Sequence, residues 1–340
     1  MNAHEKLFLP LIIILSFIIG SCAIQKDSQP IAQTTIASTP ANPTAIATNP
    51  PQTAMIEYRI LLADLQKDFD PDRPPLELPD SEQEGRAMLV INAIYAIDKD
   101  RIFLGGRLDF PNNGNAERSV LLQSSDGGEH WTEVMQTTRV SEVEHIVFLG
   151  QGDGWALVAG AGERGASMPV MLWHTDDYGE TWRIAGKIRT GSGISIVHTT
   201  LQFYNSTNGE LRLTCIGSSL CKGGDYYSIL STQDSGATWQ ESYHLFLPYV
   251  EGDPGHEKRL VAFTLPKGGR YGSHTGSCYS NNIQECPSYG QDGSEWQAEY
   301  SQDRMNLFVR RRLSFESEWT TFILPACVEY RQGVMLGACK

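Results

Sequence analysis

The chain has 340 residues, 41% hydrophobic and 20% charged, a composition that can bury a core and that excludes both a disordered chain and a protein of many membrane spans. With 27 Lys and Arg against 40 Asp and Glu the formal charge is −13, which argues against a nucleic-acid partner and against attraction to anionic lipid. The seven cysteines are an odd number, so one of them stands apart.

Residues 7–20 read LFLPLIIILSFIIG, an apolar run of signal-peptide length that follows Lys6. It is shorter than the ~20 residues a membrane-spanning helix needs, and Pro10 interrupts it. Ile19-Gly20-Ser21-Cys22 then sets an aliphatic residue and two small ones before a cysteine. This resembles the lipobox of bacterial lipoproteins. The resemblance implies removal of residues 1–21, a diacylglyceryl group on the Cys22 thiol and an acylated new amino terminus. Ala23 stands where an Asp would signal retention at the inner membrane, so the resemblance favours the outer membrane if the cell has one. The expected address is exported and lipid-anchored, on the periplasmic or extracellular side of a bacterial membrane. Residues 22–55 are rich in Pro, Thr and Ala and lack a periodic apolar face, as a flexible tether with polyproline character would be.

The remaining residues, 56–340, carry a repeat. Ser124 to Trp131, Thr175 to Trp182 and Thr232 to Trp239 all read Ser/Thr-x-Asp-x-Gly-x-x-Trp. They place Asp126, Gly128 and Trp131, then Asp177, Gly179 and Trp182, then Asp234, Gly236 and Trp239, in equivalent positions. Asp292 to Trp296 reads as a shortened fourth copy, and the four tryptophans are then spaced by 51, 57 and 57 residues, the period of an array of supersecondary units. Each copy suits a hairpin turn. The carboxylate can accept the turn's own N–H groups, the glycine takes a positive φ, and the Trp anchors the turn. Short apolar runs flank the copies: AIYAI, IFLGG and SVLLQ before the first, HIVFLG, GWALVAG and VMLWH before the second, YYSILS before the third. The unit is strand, turn, strand, loop, strand, Asp turn, strand.

These are similar to Asp-box (BNR) repeats, found in sialidases, sortilin-type receptors and bacterial propellers such as the photosystem II assembly factor family. The resemblance covers about residues 91–300 and implies an all-β protein, a β-propeller. At the observed period, 56–340 supplies five or six blades; seven would need about 41 residues each, shorter than any spacing in the sequence. MIEYRILLA near the start is available to close the ring against a C-terminal blade containing MNLFVRRRL and WTTFIL. In the family the Asp turns lie on the periphery, so Asp126, Asp177 and Asp234 are expected to hold blades together and not to catalyse.

Setting Cys22 aside leaves Cys215, Cys221, Cys278, Cys286, Cys327 and Cys339, three sequence-local pairs suited to disulfides in an oxidising compartment. Six cysteines permit fifteen connectivities, so local pairing is an expectation about spacing and not a derivation. Sialidases suggest the one enzyme reading. Tyr58-Arg59-Ile60-Leu61 is similar to their Phe/Tyr-Arg-Ile-Pro segment, which would make Arg59 a carboxylate-binding residue; Leu61 replaces the proline, and no second or third arginine can be placed by motif. Arg310, Arg311 and Arg312 alternate faces along one strand and could offer a patch to an acidic partner. Gly160 to Gly165 matches Gly-x-Gly-x-x-Gly but leads into a strand, not the helix that would hold a pyrophosphate. No metal-binding, cofactor-binding or catalytic constellation is legible. The expected function is a membrane-tethered, non-catalytic binding or assembly scaffold with a protein or glycan partner; the alternative is a sialidase-like exo-glycosidase.

Overall fold

The computed structural model describes residues 50–58, 84–110, 116–135, 142–150, 152–159, 170–188, 198–215, 224–248, 287–331 and 334–339. The chain divides at residues 45/46, and all described residues belong to the second unit. They form strands and turns without a helix. Two short strands come first, β1 (Gln52–Thr53) and β2 (Met55–Glu57). Four antiparallel sheets of propeller type follow. The first blade is β3 (Glu84–Ala96), β4 (Ile102–Phe110), β5 (Ala116–Ser124) and β6 (His130–Glu133). The second is β7 (Glu142–Phe148), β8 (Gly154–Ala159), β9 (Val170–Thr175) and β10 (Arg183–Ile188). The third is β11 (His198–Phe203), β12 (Gly209–Cys215), β13 (Gly224–Thr232) and β14 (Gln240–Pro248). The C-terminal blade is β15 (Ser288–Tyr289), β16 (Glu295–Tyr300), β17 (Asn306–Arg312) and β18 (Thr320–Pro325), after which β19 (Cys327–Arg331) and β20 (Val334–Ala338) form a hairpin. The fold is a β-propeller, with four blades among the described residues.

Alternating apolar residues give each blade two buried faces, and the core lies in the seams between blades. Ile102, Leu104, Val120 and Leu122 of the first blade meet Trp296, Ala298, Val309 and Phe322 of the C-terminal blade. From its other face Tyr95, Phe103 and Leu121 meet Val143, Ile146 and Phe148 of the second. Trp155, Leu157 and Leu172 of the second meet Leu201, Phe203 and Leu211 of the third, with Trp155 stacked on Phe203 at 3.7 Å between ring centroids.

Two devices join the C-terminal blade to the first. On the outside, β1 pairs in parallel with β18 and β2 in parallel with β6, so residues 52–57 strap the outer edges of both blades. Closure is therefore made by Gln52 to Glu57; the rest of the MIEYRILLA segment after Tyr58 lies outside the described residues. Strand pairing also starts four residues before the expected boundary at 56, and Ala54 is buried in the seam. On the other edge, β19 pairs with the start of β3, and Leu89 N–H donates to Ala326 O at 2.7 Å.

A disulfide between Cys327 and Cys339 staples this terminal hairpin, as local pairing anticipates. Cys22, Cys221, Cys278 and Cys286 lie outside the described residues, and Cys215 is described as the last backbone position of β12. The loop-closure argument gives the Cys327–Cys339 staple about 2–3 kcal/mol. Cys327→Ser with Cys339→Ser is expected to lower the urea midpoint accordingly; an unchanged midpoint would show that strand pairing alone secures β19 to β3.

Candidate functional site

The three repeat segments connect the third and fourth strands of their blades and form one turn three times. In the second blade Thr175 Oγ1 donates to Asp177 Oδ1 at 2.7 Å and accepts from Gly179 N–H at 2.9 Å, and Asp177 Oδ1 accepts from Thr181 N–H at 3.0 Å. Trp182 Nε1 closes the turn on Gly179 O at 3.0 Å. The same bonds recur through Ser124, Asp126, Gly128 and Trp131 and through Thr232, Asp234, Gly236 and Trp239. The two residues at each apex have positive φ: Gly127 and Gly128, Tyr178 and Gly179, Ser235 and Gly236.

The glycines are required for a second reason. A Cβ on Gly128 would stand 2.8 Å from the Phe322 ring, one on Gly179 would stand 2.5 Å from Phe103, and one on Gly236 would strike Leu172. Each turn is thus wedged into the blade before its own. It is also tied to the first hairpin of its own blade, through Gly127 N–H to Asp100 O, Tyr178 N–H to Gly152 O and Ser235 N–H to Thr207 O. These aspartates hold structure.

Burial would raise the Asp126 and Asp177 carboxyls, but hydrogen bonds from the turns outweigh it and hold both below the usual range. For Asp234 the Thr238 hydroxyl and N–H are the main causes of the same lowering. A depressed carboxyl contributes stability that is present above its unfolded pKa of about 3.9 and is lost as pH falls through the lower folded value. Thermal melts from pH 6 to pH 3 are expected to show this loss, reduced in the Asp126→Asn, Asp177→Asn, Asp234→Asn triple variant.

The segment read as a fourth copy does something else. Asp292 sits between the first and second strands of its blade, accepts from Ser294 N–H at 3.1 Å, and reaches Lys99 N–H of the first blade at 2.8 Å. The position equivalent to the three turns is Arg312 to Trp319, between β17 and β18, where Ser314 replaces the Asp and Glu316 the Gly. The Asp-and-Gly pattern drew attention to the wrong hairpin because only strand order identifies the right one.

Arg310, Arg311 and Arg312 divide between faces as alternation requires. Arg310 pairs with Glu299 at 3.1 Å, and Arg312 Nε donates to Glu295 at 2.7 Å. Arg311 donates to Lys99 O at 2.9 Å beneath the first blade's turn. The run is committed within the protein rather than gathered into one patch. Arg59 and residues 160–165 lie outside the described residues. Asp126, Glu129 and His130 place ligand atoms within 4.8 Å of one another, but both Asp126 oxygens already accept bonds of the turn.

The opposite end of the blades holds the connections between second and third strands and those leading to the next blade. A polar cluster lies there in the seam of the first two blades. Arg107 of β4 donates through Nε to Asp109 at 2.6 Å and through Nη1 to Glu142 of β7. Glu142 also accepts from Asn92 Nδ2 at 2.7 Å. All three charged side chains are partly exposed.

The first strands of the first two blades help form this end. An extra residue interrupts the register at Asn92 in β3 and at Glu144 in β7. The two bulges are equivalent, each five residues before the position whose N–H closes the following turn, Ile97 and Leu149. A bulge re-aims a side chain and frees backbone groups. Along the other edge of β3, past the residues that β19 covers, the Tyr300 hydroxyl accepts from Ile91 N–H at 2.6 Å and donates to Leu89 O at 3.1 Å. Burial pushes the Tyr300 hydroxyl up to about 12, so it remains a neutral donor at ordinary pH. Sequence reasoning passed over Asn92, Arg107, Asp109, Glu142 and Glu144, for they share no motif; an acidic or amide residue inside an otherwise apolar first strand was the available signal.

No family model matches the chain, and no curated protein matches it. Similar solved structures include an α-L-arabinofuranosidase from Fusarium graminearum, 11% identical with a TM-score of 0.35, covering 73% of this chain and 82% of that one. An α-L-arabinanase from Penicillium chrysogenum is 13% identical with a TM-score of 0.29, covering 72% and 86%. YCF48 bound to D1 peptide is 11% identical with a TM-score of 0.20, covering 78% and 99%.

Proposed function

We propose that the protein is an exported, lipid-anchored Asp-box propeller that binds a glycan at the end opposite its Asp turns. The Arg107–Asp109–Glu142–Asn92 cluster carries the reading. One guanidinium binds two carboxylates, one of which also binds a carboxamide, all partly exposed, beside the bulged first strands of two blades. Such a set suits a polyhydroxylated ligand: carboxylates accept from sugar hydroxyls, and guanidinium and carboxamide N–H groups donate to ring and hydroxyl oxygens. Cys22 would supply the anchor, residues 23–49 the tether, and the repeat turns a rigid frame for the cluster.

Calorimetric titration with oligosaccharides from the cell's own envelope tests the proposal. Glu142→Gln and Arg107→Ala are expected to weaken binding tenfold or more, since a hydrogen bond to a charged group is worth about 1.5–3 kcal/mol. Melting temperatures of both variants would separate lost recognition from a loosened seam. Undiminished binding in both variants with an intact fold would refute the site.

A second reading, exo-glycosidase activity, follows from Asp109 and Glu142 sharing one guanidinium, because glycoside hydrolysis uses paired carboxylates. Hydrolysis of aryl glycosides that disappears in Glu142→Gln would select it over binding alone.

A further inference from the structure

The hairpin between β17 and β18 departs from its three sisters in a way that points outward. Where they carry the Asp-and-Gly turn, it has Leu313-Ser314-Phe315-Glu316-Ser317-Glu318, with Leu313 51% and Phe315 83% exposed. The Arg312 guanidinium lies 4.6 Å from the Phe315 ring centroid and 4.8 Å from that of Trp319, and donates to Phe315 O at 3.3 Å. Glu295 holds the same guanidinium from the neighbouring strand, and Tyr289, paired with Glu295 and itself exposed, continues the row. An exposed Leu and Phe above an Arg-bound Trp make an apolar tip on a polar base, the amphipathic arrangement that settles at a membrane–water interface.

The strap says which surface this tip would meet. β1 runs parallel to β18 with Gln52 opposite Phe322, so Pro50 and Pro51 lie level with Thr320 and Thr321 at the tip end of the blade. At ~3.3 Å per residue the described chain begins within about 10 Å of Trp319. The segment preceding it contains the apolar run 7–20 and Cys22.

We propose that the Leu313–Phe315–Trp319 tip is a bilayer-contact surface, seated in the headgroup region of an electrically neutral membrane. This rests on the reading of the N-terminal segment as membrane-anchored. Glu316 and Glu318 are exposed on the same loop, and with the net charge of −13 they disfavour anionic lipid.

The test reconstitutes the full chain, extracted from the membranes of the expressing cell, into phosphatidylcholine vesicles doped with a photoactivatable phosphatidylcholine, and maps adducts by peptide mass. Adducts are expected to concentrate in residues 313–319. They should fall at least tenfold in Leu313→Ser, Phe315→Ser at an unchanged melting temperature, and fall as phosphatidylglycerol replaces phosphatidylcholine. Adducts absent from 313–319, or equally strong in the variant, overturn the proposal. So does a Phe315-dependent dimer in sedimentation, which would assign the tip to a second copy. The mass of the Cys22 peptide, read in the same digest, reports the anchor independently: lipid on Cys22 without tip adducts refutes only the contact surface, and tip adducts without lipid refute only the anchor.

Discussion

Glu133→Ala is expected to destabilise the propeller by about 3–5 kcal/mol, measured as a shift of the urea unfolding midpoint, because it strands a buried cation. Arg118 of β5 and Glu133 of β6 are 1% and 0% exposed at their side chains, and both terminal nitrogens of Arg118 face the carboxylate. Arg118 Nε has no hydrogen-bond partner, so with Glu133 gone the guanidinium would lose its compensating charge. The Tyr58 hydroxyl is buried against this pair; burial and then the Glu133 charge raise its pKa, so it stays neutral and cannot neutralise Arg118. The double variant Arg118→Met, Glu133→Leu should regain most of the loss, since an apolar pair of similar volume needs no desolvated charge. A double variant as unstable as Glu133→Ala would mean that the pair holds the strap and not merely itself. Tyr58 ends the strap, so hydrogen exchange at residues 52–57 would locate that effect.

The second large effect is a graded one. Trp131→Ala is expected to cost about 3–5 kcal/mol, and Trp182→Ala and Trp239→Ala less, although all three occupy the same motif position. Trp131 is 1% exposed within the seam that joins the first blade to the C-terminal blade. Trp182 and Trp239 keep the same bond to their turn glycines but are only partly buried against their seams. Trp182 meets Phe103 and Phe148 edge-on, and Trp239 meets Phe203 likewise. Trp131 is further enclosed because β2 pairs alongside it, Ile56 standing opposite. Equal losses in all three variants would show that the turn, and not the seam, sets the cost.

Much of the architecture could be read from residues alone. The runs AIYAI, IFLGG, SVLLQ, HIVFLG, GWALVAG, VMLWH and YYSILS fall within or largely within β3, β4, β5, β7, β8, β9 and β13. Local alternation and turn chemistry need no distant partner to be recognised. The turn bonds of Asp126, Asp177 and Asp234 were legible for the same reason, as every donor and acceptor lies within four residues. The polar cluster was not. Arg107 meets Glu142 across a seam, and Asn92 joins it from the bulge in β3; an amide within an apolar strand hints at the irregularity but not at its partner on another blade.

Strands and repeating turns are readable from the residues because each depends on neighbours along the backbone, and the acidic character follows from composition. Packing of blade on blade is what makes residues 52–57 strap two outer edges, gives three adjacent arginines different partners, and buries motif-equivalent tryptophans unequally. Those outcomes depend on which blade lies against which, and a seam brings together residues far apart in the chain, as Ile91 and Tyr300 are at a separation of 209 positions.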